Sequence, residues 1–255
     1  MNLCIIQARM GSSRLPGKVL REVHGVPILQ LLIERLSQSK TVTKFIVATT
    51  SNSEDDAIET FCKKQNISCY RGSDWDVLER FYGAATTFGA GTEDHIVRIC
   101  CDNPIHSHHV LDFVVNSYHH AGVDYFSNSN QEPDFLEDGF DVEVTSFNAL
   151  KQAHEEAKLL SEREHVMPYI KNSGKFSLGW RKANAAYLFK LSVDTEKDLE
   201  TVQRIFHELE DKPDFSIDEV VDLLKRKPEI LDINKESTIN SGYQKSLRED
   251  REVKR

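Results

Sequence analysis

Four apolar runs punctuate the first hundred residues: "LCIIQA" (3–8), "KFIVATT" (44–50), "ISCYRG" (67–72) and "HIVRICCD" (95–102). Between them the period changes. In "VPILQLLIERLSQS" (26–39), Ile28, Leu31, Leu32 and Leu36 recur at helical spacing, and "SEDDAIETFCKKQ" (53–65) and "DVLERFYGAATTFG" (76–89) also read as helices. A continuous run such as Phe45 to Ala48 belongs to a strand covered on both faces. The alternation therefore predicts a βαβαβ start and a parallel sheet wrapped in helices. Such sheets bind ligands beyond the carboxyl ends of their strands, which places the loop after the first strand and Asp102 on one edge.

From 124 to 180 the pattern shifts to "DYFSNSN", "GFDVEVTSF" and "FSLGW", strand-like pieces separated by a helical "KQAHEEAKLLSEREHVMPYIKN" (151–172). We expect an excursion from the core there, with some antiparallel pairing, inside a single domain spanning 1–255. "LSVDTEKDLETVQRIFHEL" (191–209) then predicts a short strand ending on Asp194, followed by an amphipathic helix capped at Asp194-Thr195. "SIDEVVDLLKRKPEI" predicts a last helix, and "REDREVKR" a solvated charged tail.

A chain of 255 residues suits one α/β domain. With 41 acidic against 32 basic residues, a net charge of −9 excludes a broad nucleic-acid footprint, so any phosphate binding must be local. No apolar run approaches the roughly 18 residues of a membrane span or has the make-up of a secretory signal, so a cytoplasmic protein without membrane contact is expected. The five cysteines, at 4, 62, 69, 100 and 101, lack metal-type spacing and read as free, mostly buried thiols. "HSHH" (106–109) reads as a surface loop entering a helix rather than a metal cluster.

The segment "RMGSSRLPGK" puts Arg9, Arg14 and Lys18 among Gly11, Ser12, Ser13 and Gly17. Small residues let a backbone approach a polyphosphate closely, and the cations neutralise it. It is neither G-x-x-x-x-G-K-[ST] nor G-x-G-x-x-G, which sets aside the Walker and dinucleotide fingerprints. A solvated basic turn is the bland alternative.

"QARMGSSRLPGKVL" resembles the signature loop of the cytidylyltransferases that make CMP-activated acid sugars, such as CMP-Kdo and CMP-acylneuraminate synthetases, and most closely the spore-coat polysaccharide biosynthesis protein F branch. The likeness continues through "RGSDWDVLERFYGAA" (71–85), "RICCDNPI" (98–105), "GFDVEVTSF" (139–147), "REHVMPYI" (163–170) and "VDTEKDLETV" (193–202). It implies a Rossmann-like nucleotide-diphospho-sugar transferase fold with a mostly parallel central sheet and an α+β dimerisation excursion near 124–180. It also implies a homodimer, CTP and an acidic sugar as substrates, and Mg²⁺ as cofactor.

By the same resemblance, Arg9 and Lys18 hold the triphosphate, with Ala8, Met10, Gly11, Ser12 and Ser13 along the nucleotide. Arg14 serves the γ-phosphate or pairs with an acid. Arg71 and Ser73 resemble base-pocket residues, although Arg71 also reads as a surface cation. Asp102 and Asp194 correspond to metal ligands. Asp141, Glu143, Glu164 and His165 fall on sugar-side and dimer segments, where His165 would orient or deprotonate the acceptor hydroxyl. Asn103 departs from the Asp-Glu-Pro of CMP-Kdo synthetases and leaves the sugar open. Two alternatives remain: transfer from another nucleoside triphosphate to a sugar 1-phosphate, and a non-catalytic nucleotide-binding relative.

Overall fold

The computed structural model describes residues 1–129, 138–181, 189–212, 214–239 and 241–253. Strands β1 (Asn2–Gln7), β4 (Lys44–Thr50), β5 (Ser68–Gly72) and β6 (His95–Cys100) form the parallel half of a sheet that β7 (Tyr125–Ser127), β8 (Glu143–Ser146) and β9 (Leu178–Trp180) complete in the order β5-β4-β1-β6-β8-β7-β9. The strands β2 (Glu22–Val23) and β3 (Val26–Pro27) make a separate hairpin, turned by His24 and Gly25 at φ 51° and 78°. Two successive positive φ values match the twist of a tight hairpin, which is why the chain is still extended at Val26 and the first helix starts two residues later.

The apolar run in β1 is buried throughout, and alternate residues serve opposite layers. Cys4 and Ile6 pack with α1 (Ile28–Leu36), α2 (Asp56–Lys64), α4 (His108–Ala121), α8 (Glu196–Glu208) and α9 (Ile217–Arg226). Leu3 and Ile5 pack with α3 (Val77–Thr87), α5 (Phe147–Glu156) and α7 (Pro168–Asn172). The result is a three-layer α/β sandwich. Each of these aliphatic side chains contributes about 2 kcal/mol through burial alone.

Segment 124–180 joins this same sheet. Strand β8 (Glu143–Ser146) runs antiparallel to β6, β7 (Tyr125–Ser127) is antiparallel to β8, and β9 (Leu178–Trp180) is parallel to β7. Residues 130–137 of that segment lie outside the described residues. The helical stretch predicted over 151–172 is three helices, α5, α6 (Leu160–His165) and α7.

Three expectations are corrected. Residues 191–194 form no strand, because the Leu191 and Ser192 amides donate to the Asp138 carboxylate at 2.6 and 2.8 Å and are lost to any ladder. The "HSHH" segment is not a surface loop: His106 and His108 are buried, and Ser107 caps α4. The charged tail is docked. After α10 (Glu229–Asp232) and α11 (Ser241–Arg248), Asp250 accepts from the Ser161 amide and hydroxyl, and the Arg251 carbonyl accepts from Leu160. Among the described residues no helix is long and apolar enough to cross a membrane.

Candidate active site

The loop leaving β1 folds on itself. The amides of Ser12 and Gly17 both donate to the Met10 carbonyl at 2.8 Å, and Gly17 takes φ 69°, a conformation that favours glycine. Buried Asp55 anchors it by accepting the Met10 amide at 2.7 Å while also holding the Thr50 hydroxyl. From this frame the Lys18 ammonium donates to Asp102 Oδ2 at 2.8 Å, Asp194 Oδ1 at 3.0 Å and the Val193 carbonyl at 2.8 Å. Arg14 and Lys190 also reach Asp194, at 3.1 and 3.2 Å.

Burial works against a charged Lys18, but Asp102 and Asp194 outweigh it and raise its pKa above the ordinary lysine value. Burial likewise works against ionised Asp194, yet Lys18, Lys190 and Arg14 bring its pKa down to about 2. Asp102 follows β6 and Asp194 precedes α8, and the Val193 amide joins the two segments by donating to the Asp102 carbonyl at 2.7 Å. Two hard carboxylates thus converge on one cation, a donor set that suits Mg²⁺.

Two cavities meet at this point. One is walled by the opening loop, the start of α3, and α6 with α11. The other is walled by β6, β8, α7 and the 138–141 and 192–194 segments. Asp102, Asp194, Arg14 and His165 line both.

Ala8, Arg9, Ser12, Ser13, Arg14 and Lys18 face the loop cavity. Met10 and Gly11 do not: the Met10 amide is given to Asp55, and a side chain at Gly11 would meet Glu54. Arg71 and Ser73 line neither cavity. The Arg71 guanidinium is spent on Glu59, Asp56 and the Thr50 and Asn52 carbonyls, while the Ser73 hydroxyl accepts from the Asp76 amide.

Asp141 and Glu143 line the second cavity. Glu143 is held down to about 2 despite burial, by Lys171 and Arg98 and by the Tyr125 hydroxyl, which donates at 2.6 Å. The Asp141 carboxyl is pushed up to about 7 by burial and by Asp138, partly offset by Ser129 and reinforced by Glu143. Glu164 lies in the loop cavity instead, accepting from the Ser246 hydroxyl at 2.7 Å.

His165 sits between the cavities with Nε2 2.9 Å from Ser246 Oγ. Burial, followed by Arg98 and Lys171, lowers its pKa to about 3, so the ring is neutral and a poor base. A γ-turn fixes it: Val166 takes φ 70°, ψ −56°, and the Met167 amide donates to the His165 carbonyl at 2.8 Å. That conformation is strained for a β-branched residue, and such strain gathers at functional sites.

Sequence reasoning missed Arg98, Asp138, Lys171, Lys190 and the wall formed by Tyr243, Lys245 and Ser246 of α11. Arg98 carries a signal, an arginine inside the otherwise apolar "HIVRIC". The others come from distant segments and carry none.

The cytidylyltransferase family model matches residues 3–245. The spore coat polysaccharide biosynthesis protein SpsF of Bacillus subtilis is 32% identical over 236 residues, covering 89% of this chain and 95% of that protein. The solved structure of a cytidylyltransferase from Leptospira borgpetersenii superposes with a TM-score of 0.83 at 31% identity, covering 93% of this chain and 98% of that one. A CMP:2-keto-3-deoxy-manno-octonic acid synthetase complexed with CTP shares the fold at a TM-score of 0.58 and 18% identity, covering 81% and 98%. The glycine- and serine-rich loop and the Asp102–Lys18–Asp194 cluster thus lie in a chain that belongs to the cytidylyltransferase family of nucleotidyltransferases.

Proposed function

We propose that this protein transfers CMP from CTP to an acidic sugar or related acid and releases pyrophosphate, in the service of surface polysaccharide synthesis. One observation carries the reading. The Lys18 ammonium and the Asp102 and Asp194 carboxylates stand where two cavities join, so one cavity suits CTP and the other the acceptor. Arg9, Arg14 and Lys18 take the triphosphate, with Ser12 and Ser13 beside it. Lys18 offsets charge building on the α-phosphoryl group, and the joined cavities favour in-line attack. Asp102 and Asp194 would hold Mg²⁺, which supplies positive charge to the phosphates when bound.

On the acceptor side, Arg98 and Lys171 are the cations available to a sugar carboxylate, and Glu143 keeps both in place. Burial raises the pKa of both Asp138 and Asp141 in that cavity; Asp138 is occupied by the Leu191 and Ser192 amides, and Asp141, at about 7, suits uptake of the hydroxyl proton near neutral pH. The reading includes a cytoplasmic homodimer, with no nucleic acid or membrane partner.

The test is pyrophosphate release with Mg²⁺ and each nucleoside triphosphate, against Kdo, sialic acid and related acids. Release is expected with CTP alone, and Lys18→Ala and Asp102→Ala should each lower turnover by about 10²–10³-fold with unchanged circular dichroism. A signal only from GTP or UTP would reject cytidylyl transfer.

A further inference from the structure

Two histidines of "HSHH" meet at the start of α4. Side chains at i and i+1 of a helix ordinarily diverge, yet the His108 and His109 ring centroids lie 3.9 Å apart. His108 is 8% exposed, and its Nδ1 makes no hydrogen bond. Native structures rarely leave a buried ring nitrogen without a partner. Asp214, from the loop before α9, stands with Oδ1 3.5 Å from that Nδ1. The gap is long for a hydrogen bond. It suits two ligands of one ion, because at bond lengths of about 2.0–2.2 Å neighbouring ligands of a tetrahedral zinc are about 3.3 Å apart. One ligand atom from each of His108, His109 and Asp214 falls within 4.8 Å of the other two. The exposed His109 and Asp214 can turn about their own side-chain bonds to close what remains.

The two segments are held together without the ion. Buried Arg35 of α1 donates from Nε to the His106 carbonyl at 2.9 Å and from Nη2 to the Phe215 carbonyl at 2.6 Å, with its guanidinium 3.9 Å from the Phe215 ring. It thereby clips the chain just before His108 to the chain just after Asp214. Ligands fixed beforehand cost less to order when an ion arrives. Two fields oppose a cation here, that of Arg35 and that of the α4 N-terminus, and the Asp214 carboxylate counters both.

Two imidazoles and one carboxylate form a donor set that takes Zn²⁺, whereas Mg²⁺ prefers oxygen ligands throughout. We propose that His108, His109 and Asp214 bind one Zn²⁺ that pins the start of α4 to the loop before α9, with a fourth position left to water. None of the three lines either cavity of the candidate active site, so this ion is separate from any held by Asp102 and Asp194. The sequence displays only the histidine pair, since folding brings the third ligand from a distant segment.

The full-length protein, stripped with a chelator, is titrated with Zn²⁺ by calorimetry, with excess Mg²⁺ present to occupy the Asp102 and Asp194 carboxylates. One Zn²⁺ per chain is expected, together with a higher melting temperature. His109→Ala and Asp214→Asn alter exposed side chains, so both should fold as the parent does. Each should weaken Zn²⁺ binding by at least the about 10- to 100-fold that loss of an outer-shell partner costs. Asp102→Ala should bind Zn²⁺ as the parent does. A parent that takes up no Zn²⁺ would overturn the proposal. So would His109→Ala and Asp214→Asn binding it as tightly as the parent, which would place the ion elsewhere, for instance on the free thiols. Loss of the ion in Asp102→Ala alone would also overturn it, because the metal would then belong to the active site.

Discussion

At the scale of single residues, this site runs on charges held away from their ordinary states by neighbours. Lys18 is held charged and Asp194 ionised because each supplies what the other's burial removes. Asp141 has no such partner, and its pKa of about 7 exceeds that of an unfolded aspartate. The folded state therefore binds this proton more tightly than the unfolded state, and between about pH 4 and pH 7 stability falls as pH rises. Asp141→Asn removes that cost. The variant should melt above the parent at pH 8, and the gap should close toward pH 4. Melting curves across that range check the sign, and a gap that widened in acid would contradict the placement of Asp141.

At the scale of elements, the site depends on how α3 and α6 are locked together. Asp76 caps α3 by accepting the Glu79 amide at 2.9 Å, and it also receives the buried Arg163 guanidinium of α6. Two residues beyond Arg163 lies His165, whose strained turn faces both cavities. Removing one partner of such a buried pair leaves an uncompensated charge. Arg163→Met should cost about 3–5 kcal/mol of stability in a denaturant titration, and adding Asp76→Asn should recover much of it. A loss under about 1 kcal/mol, the range of exposed pairs, would mean that the contact does not hold α6.

At the scale of the whole molecule, the C-terminal segment completes a site that begins at the first loop. Helix α11 brings Lys245 and Ser246 to the loop cavity and Tyr243 to the second cavity, and Asp250 anchors the segment to α6. Among its described residues there is no strand of the sheet. Ending the chain after residue 239 should therefore leave the far-ultraviolet spectrum nearly intact while weakening CTP binding by about tenfold or more by calorimetry. Unchanged affinity would show that α11 only covers the cleft.

The parallel half of the sheet, its helices and the shared edge of the opening loop and Asp102 were legible in the chain itself. Apolar runs and helical periods are local properties, and strand ends in such sheets converge by topology. Lys18, Asp102 and Asp194 were legible by resemblance, and the fold adds that they touch. What only tertiary structure decided was how polar groups pair across the sequence. Asp138 takes the amides that would have made 191–194 a strand, Glu59 and Asp56 take Arg71 from the cleft, and Arg163 takes Asp76 from Arg80. Burial alters basicity as strongly as residue type does, so His165 reads as a base in the sequence and becomes a neutral strut once enclosed beside Arg98 and Lys171. Such pairings join residues as far apart as the 176 positions between Lys18 and Asp194, and no local pattern of apolar and polar residues encodes them.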